Sequence, residues 1–483
     1  MAQAQLVDTA GLRNDFSLLI EGESVGAQDT LDVINPATGK VFARCPAAGR
    51  ADLDRAVAAA RRAFPAWSAL SFQERTLFIK QMAAILRTNA RELAELLTRE
   101  QGKPLQQSVD EINRAASQSE GMTQIVISSE TITDDAERRI ELRYVPLGVA
   151  GIITPWNAPI NLAAGPLVSA LYTGNTVVLK PSPYTPLSTL KIGELIRDVF
   201  PRGVVNIVAG GDALGQWMTE HPGIDKISFT GSVATGKKVM ASCASTLKRV
   251  TLELGGNDAA IVLDDVDPKV VAPKLFFAGF VNSGQVCMAV KRIYAHEKIY
   301  DALCTALAEE ARKWIVGDGF DPATKLGPIQ NRMQYDKVVD LINDTKRNGA
   351  RVLAGGEIPQ TPGYFINPTL VTDVAENSRI VREEQFGPIV PVLKFTDVED
   401  ALRRANDTRY GLSGSVWSRD PERAAAIAAR LEVGTAWVNQ HRATAANVPF
   451  GGAKESGMGR VYADIGLKSY MEPRVISVLK QPV

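Results

Sequence analysis

Apolar positions in the first third of the chain recur at the helical period. Leu53, Val57, Ala60 and Phe64 share one helix face ahead of Pro65. Ser71 and Glu74 form a capping-box pattern before Leu77, Phe78, Met82 and Leu86. The first 30 or so residues carry no such period and read as a polar lead. At RRIELRYV the period changes: Ile140, Leu142 and Tyr144 alternate with Arg139, Glu141 and Arg143, as in a two-faced strand. From residue 148 onward short Val- and Ile-rich runs (GVAGII, NTVVLK, GVVNIVAG, DKISFTG, KRVTLEL) alternate with helical segments such as Ser188 to Phe200 and ATGKKVMASCA. Continuous apolar strands joined by helices imply a parallel sheet covered on both faces, and right-handed crossovers make it a doubly wound, Rossmann-like layer. After residue 256 a second alternating region begins, with helices expected near 268–283 and 299–314. Glycines and prolines punctuate it at 317–328, 355–368 and 386–391, and the tail GLKSYMEPRVISVLK reads as strand. The fold class is therefore α/β, with two doubly wound α/β domains and an additional strand pair.

Two nucleotide motifs almost fit. GSVATGKK, Gly231 to Lys238, follows a strand and opens a helix, but Lys238 stands where a phosphate-binding loop needs Ser or Thr for magnesium. What survives is a glycine-rich turn whose free N–H groups suit a phosphate, or a plain strand-to-helix turn. A GxGxxG fingerprint is absent, because GGDALG at 210–215 has its glycines at the wrong offset.

Three other segments carry chemistry together. TPWNAPIN places Asn157 after a strand, VTLELGG places Glu253 at a strand end, and FVNSGQVCMA places Cys287 after a Gly-Gln turn. Taken singly, a cysteine is most often buried packing and a glutamate a solvated face. Together, a thiol, a carboxamide donor and a carboxylate are what acyl chemistry on cysteine requires. The thiolate is the nucleophile, a preorganised donor stabilises the oxyanion, and the carboxylate activates water.

Composition narrows the alternatives. Lys+Arg and Asp+Glu are 54 each, so the net charge is zero and no generic nucleic-acid footprint exists. The 483 residues, 45% apolar and 22% charged, suffice for a large core without disulfides. Four cysteines with no CxxC pair, and only His221, His296 and His441, give no zinc pattern, so no metal is expected. Cys45, Cys243 and Cys304 match no catalytic pattern and read as packing. No run reaches the 18 or more apolar residues of a membrane span, and MAQAQLVDTAGLRND shows no secretory pattern. The expected location is the cytoplasm.

The chain resembles the aldehyde dehydrogenase superfamily of the NAD(P)-dependent, thioester-hydrolysing kind. The resemblance runs through PWN at 155–157, LKPS at 179–182, FTGS at 229–232, LELGG at 252–256, GQVC at 284–287, EEQFGP at 383–388 and PFGGAKESGMGR at 449–460. It implies oxidation of an aldehyde to a carboxylic acid, with Cys287 as nucleophile, Asn157 in the oxyanion hole and Glu253 activating water. For the cofactor, NAD or NADP, it implies Lys180 and Glu384 on the two riboses and Ser232 on the diphosphate, with Trp156, Gly231, Leu254 and Phe386 lining the site. It further implies a cofactor domain of residues 1–121 and 147–255 and a catalytic domain of 256–465. An oligomerisation arm of 122–146 and 466–483 would support a homodimer or a dimer-of-dimers tetramer.

Three departures from the family pattern stand out. Pro183 follows LKPS where a glutamate often excludes a 2′-phosphate, so use of NADP beside NAD is expected. Val461 and Pro166 occupy the places of a proton-relay Glu–Lys pair, leaving Glu253 and water to move the proton. At the substrate tunnel Ala158, Gly165 and Thr444 are small where bulky aromatics are common, while Leu162, Val286, Met288 and Phe450 supply an apolar lining. A wide tunnel for bulky aromatic or long-chain aldehydes is expected. A small carboxylated semialdehyde is the alternative, disfavoured by the lack of arginine at those positions but kept open by Arg442. Glu253 argues against an acyl-transferring enzyme that uses coenzyme A, and the intact trio against a silent ligand-binding protein on the same fold.

Overall fold

The computed structural model describes residues 16–480, so most of the polar lead, including its first 15 residues, lies outside it. Two large sheets dominate. The first has eight strands in the order Glu23–Val25, Leu18–Ile20, Val205–Ile207, Thr176–Lys180, Val149–Ile153, Lys226–Thr230, Arg249–Glu253 and Gly457–Met458. Its five central strands are parallel. Chain order reverses between Val149–Ile153 and Lys226–Thr230, and in open α/β sheets ligands bind at the carboxyl ends of strands at such a switch point. The second sheet has seven strands, from Arg351–Ala354 through Thr369–Thr372, Ile389–Phe395, Val290–His296, Asp258–Val262 and Ser413–Trp417 to Thr435–Val438. All its pairings are parallel except the first. Both sheets have their central strands wholly buried, as the continuous apolar runs require.

Three readings of the pattern are corrected. The lead is not uniformly polar loop: Leu18, Leu19 and Ile20 are a buried strand, with Leu19 opposite Ile207. Three residues are too few to show a period, and only pairing across the sheet makes them a strand. The first long helix does not stop before Pro65 but runs Arg50–Ala69 through it. Trp67 outweighs the lost backbone bond: it is fully buried, donates to the Leu171 carbonyl at 3.2 Å and packs edge-on against Phe78 and Phe200. The tail is not all strand, because helix Ala463–Lys468 precedes strand Met471–Leu479. The Ser71–Glu74 capping box forms as expected and opens helix Phe72–Thr88.

Strands Glu130–Asp134, Arg138–Pro146 and Met471–Leu479 make a separate three-stranded antiparallel sheet. It leaves Ile132, Val475, Val478 and Leu479 exposed. No described helix is long and apolar enough to cross a membrane.

A buried carboxylate ties two helices together. Glu100 is fully buried, and its two oxygens accept from Leu187 N at 2.7 Å and Ser188 N at 2.9 Å, closing the first turn of helix Leu187–Ile196. Burial pushes its carboxyl up to about 7. Glu100→Ala would strand both N–H groups at about 1–3 kcal/mol each. The first unfolding transition in urea is expected at a clearly lower midpoint, with a smaller loss for Glu100→Gln, which keeps one acceptor oxygen.

Candidate active site

The switch point of the first sheet is where the site is built. Strand Val149–Ile153 ends in a loop that carries Trp156 and Asn157 into helix Pro159–Tyr172, which starts with a proline at its first position. The first two N–H groups of that helix, Ile160 and Asn161, donate to Glu111 Oε1 at 3.0 and 3.2 Å. Glu111 is ion-paired with Lys103, both almost fully buried, and Lys103 Nζ also donates to the Asn157 carbonyl at 3.0 Å. A buried charge pair holds only when its remaining donors and acceptors are satisfied, and here they fix the Asn157 backbone.

Asn157 in turn meets the cysteine segment. Its Nδ2 donates to the Gln285 carbonyl at 2.9 Å, while Asn282 Nδ2 donates to the Asn157 carbonyl at 2.9 Å. Residues Asn282, Ser283 and Gly284 all have positive φ, at 53°, 55° and 70°. The turn Val281–Gly284 is therefore left-handed and buried, a conformation that L-residues with side chains resist. Ser283 Oγ donates to Gly327 O at 2.6 Å and Gln285 Nε2 to Asn282 O at 2.9 Å. Gly284 cannot be replaced freely, since a Cβ there would lie 2.3 Å from the Gly387 carbonyl oxygen.

Cys287 follows this turn and is partly buried. Lys291 Nζ donates to the carbonyls of Val286 and Cys287, and His441 Nε2 lies 3.1 Å from the carbonyl of Met288. Burial pushes the Cys287 thiol up to about 12, with Lys291 opposing and Glu253, Glu384 and Asp258 adding to the rise. Glu253 ends strand Arg249–Glu253, the neighbour of Lys226–Thr230. Its carboxyl is buried and raised well above its ordinary value by desolvation, with Arg460 opposing, and Oε1 has no hydrogen-bond partner. A Cβ on Gly451 would lie 2.8 Å from that oxygen. Thus Cys287, Glu253 and Asn157, far apart in sequence, converge on one place.

The expected cofactor residues surround the same strand ends. Lys180 ends strand Thr176–Lys180; its buried amine makes one long bond, 3.4 Å to the Pro181 carbonyl, and burial pulls it down to about 8 with Asp212 opposing. Ser232 caps helix Val233–Ala244 through Thr235 N at 3.2 Å. Gly231 would press a Cβ within 2.5 Å of the Phe229 ring, and Gly236 within 2.5 Å of Leu254, so the glycines allow close strand-to-helix packing. Glu384 accepts from Gly256 N at 3.0 Å, beside Gly255, whose lack of a side chain admits the carboxylate. Trp156 and Phe386 meet edge-to-face at 5.3 Å. An amine with spare donors, a helix start and an aromatic pair suit a nucleotide; among the described residues no group of three or more His, Cys, Asp or Glu is placed to hold a metal ion.

The tunnel expectation needs one correction. The space beside Gly165 is not open: Tyr462 fills it, with a Cβ on Gly165 falling 3.3 Å from the Tyr462 ring. Tyr462 is buried at φ 63°, and its phenol is raised to about 12 by burial and then by Glu253 and Cys287, so it stands beside both. Ala158, Leu162, Val286 and Met288 are partly buried around the cysteine segment, and Phe450 is buried opposite Val461. Thr444 lines an open cleft of about 370 Å³ with Arg114 and Arg442. Lys103, Glu111, Lys291, Tyr462 and Arg114 carry no motif of their own, whereas Asn282 lies within FVNSGQVCMA and Tyr462 just beyond the GMGR run. Cys45, Cys243 and Cys304 are buried, their thiols raised by desolvation to about 12, 11 and 11.

Residues 24–476 match the model of the aldehyde dehydrogenase family. The aldehyde dehydrogenase LUC3 of a Fusarium species is 38% identical over 467 residues, 96% of this chain and 99% of that protein. A betaine aldehyde dehydrogenase of Sinorhizobium fredii is 39% identical over 472 residues, 96% and 97% of the two chains. Among solved structures, the NAD+ complex of an aldehyde dehydrogenase from Bacillus cereus is similar with a TM-score of 0.94 at 37% identity, covering 97% of each chain.

Because desolvation raises both Cys287 and Glu253 above their ordinary values, a reaction needing thiolate and carboxylate gains as pH rises. Aldehyde-dependent kcat/KM is expected to climb from pH 6 to pH 9; an optimum at or below pH 6.5 would contradict this.

Proposed function

The chain belongs to the aldehyde dehydrogenase family, and from that premise we propose that Cys287, Glu253 and Asn157 oxidise an aldehyde to its carboxylic acid with NAD(P)+. The observation that carries the reading is the convergence of these three side chains beyond the switch point of a doubly wound sheet. Cys287 as thiolate attacks the carbonyl carbon, forming the S–C bond and moving the π pair onto oxygen. The Asn157 amide and the Cys287 backbone N–H hold that oxyanion. NAD(P)+ held at the strand ends would supply the acceptor for the hydride that leaves the aldehyde carbon, and Cys287 would then remain as a thioester. Glu253 then removes a proton from water, whose oxygen attacks the acyl carbon; the S–C bond breaks and the acid leaves.

Lys180 and Glu384 would hold the two riboses and Ser232 the diphosphate, with Trp156, Gly231, Leu254 and Phe386 lining the cofactor. Pro183 offers no carboxylate against a 2′-phosphate, which supports NADP beside NAD, although Asp212 near Lys180 keeps a negative charge in the neighbourhood. Ala158 and Thr444 stay small and support aldehydes larger than acetaldehyde, with Tyr462 narrowing one wall. The exposed apolar residues of the three-stranded sheet support pairing with a second copy, as a dimer or a pair of dimers.

Two measurements test the reading. Steady-state reduction of NAD and NADP with benzaldehyde, a long-chain aldehyde and acetaldehyde should give turnover with both cofactors, less than about 1000-fold apart, and the lowest kcat/KM for acetaldehyde. Strict NAD use with acetaldehyde preferred would discard both refinements. Val461 and Pro166 leave no relay to bypass Glu253, so Glu253→Gln should release one equivalent of reduced cofactor in a burst and then stall as acyl-enzyme. Continued steady turnover would remove Glu253 from deacylation.

A further inference from the structure

Helix Leu105–Met122 turns Arg114, Ser117, Gln118 and Gly121 onto one stripe, at the spacing of neighbouring turns. The segment 442–446 lies against that stripe. Gly121 is what allows it, since a Cβ there would sit 2.9 Å from Ala446 Cβ. The segment is tied down by Trp437 Nε1 donating to Ala443 O at 3.0 Å and Ala463 N to Ala446 O at 2.8 Å. Between helix and segment lies the open cleft of about 370 Å³, lined by Arg114, Arg442, Ser117, Gln118 and Thr444.

Arg442 is held there against ordinary preferences. Its backbone is left-handed, at φ 68°, and its Nε is buried without a hydrogen-bond partner. Its guanidinium lies 5.6 Å over the Phe277 ring. Neither it nor Arg114 has a carboxylate within 4.0 Å among the described residues. Burial, with Arg114 adding like charge, pulls Arg442 down to about 10. Two cations facing one cleft without a counter-ion cost stability, and a site that leaves such donors unmatched is paired by an anion that enters it. Arg442 ties the cleft to the cysteine segment by chain: His441, the preceding residue, lies 3.1 Å from the carbonyl of Met288, next to Cys287.

We propose that Arg114 and Arg442 form an anion subsite in the cleft between helix Leu105–Met122 and segment 442–446, and that the substrate is an aldehyde bearing a carboxylate at its far end. The proposal rests on the reading of Cys287 as the nucleophile and adds the substrate class. The planar guanidinium fork suits a carboxylate, and Ser117, Gln118 and Thr444 supply neutral donors around it. The product is then a dicarboxylate, and the reaction that supplies the substrate must leave an aldehyde on a molecule already carrying an acid group.

Matched pairs test this with the wild-type enzyme: 4-oxobutanoate against butanal, 5-oxopentanoate against pentanal, and 4-carboxybenzaldehyde against 4-methylbenzaldehyde. In at least one pair the charged member should have a kcat/KM about 10-fold higher or more. That ratio should fall toward one in both Arg114→Gln and Arg442→Met, mainly through KM of the charged member, and should shrink as salt is added. The ratio is internal to each variant, so a general loss of folded enzyme does not imitate the effect. Neutral aldehydes turned over equally well or better in every pair would overturn the anion subsite and leave the catalytic reading standing. Preference for a phosphate-bearing or a trimethylammonium-bearing aldehyde would also overturn the carboxylate assignment. No turnover of any aldehyde, charged or neutral, would overturn the catalytic reading and the subsite with it.

Discussion

The site depends on one buried left-handed turn. Asn282, Ser283 and Gly284 take a backbone conformation that costs roughly 1–2 kcal/mol for each residue with a side chain. The cost is offset by what surrounds the turn: Asn157, Gly327 and Gly387 each contact it, and each comes from a different part of the chain. The turn therefore cannot relax without breaking its hydrogen bonds to Asn157 and Gly327. Cys287 inherits its position from that constraint, because the segment leading to it is tied to Asn157 by mutual hydrogen bonds.

Electrostatics follows from the same burial. The interior of the site contains Lys103 with Glu111, Lys291 near Glu384 at 3.9 Å, and Asp258 near His441 at 3.8 Å. Glu253 is the exception, with one oxygen unpartnered. Paired groups fix backbone; the unpaired carboxyl is the one free to exchange a proton. Desolvation raises both that carboxyl and the Cys287 thiol, which disfavours an isolated buried anion at either position.

Much of this was legible in the sequence, and the gaps have a common cause. The parallel strands announced themselves as continuous Val- and Ile-rich runs, because burial on both faces leaves no polar alternation. Ser71 and Glu74 were readable because a capping box is local. Leu18–Ile20 was not, since three residues hold no period and the partner that sets it into the large sheet lies nearly two hundred residues away, beyond the local hairpin with Glu23–Val25. Tyr462 was missed for the same reason: nothing near it in sequence says that it will fill the space that Gly165 leaves. Arg114 looks like any solvated helical arginine until the segment carrying Arg442 folds against it.

The eighth strand of the first sheet carries a consequence for how the molecule is made. Gly457–Met458 pairs with Leu252 and Glu253, and Leu254 N donates to Ser456 O at 2.9 Å. Gly451, Arg460 and Tyr462 also press on Glu253 or stand beside it. A ribosome adds these residues roughly ten seconds or more after Cys287 at 5–20 residues per second. The thiol is thus synthesised well before the walls that give its neighbouring carboxyl its unusual proton affinity. A nascent chain that ends before Gly451 carries Cys287 without those walls, and synthesis of residues 451–462 completes the surroundings of Glu253.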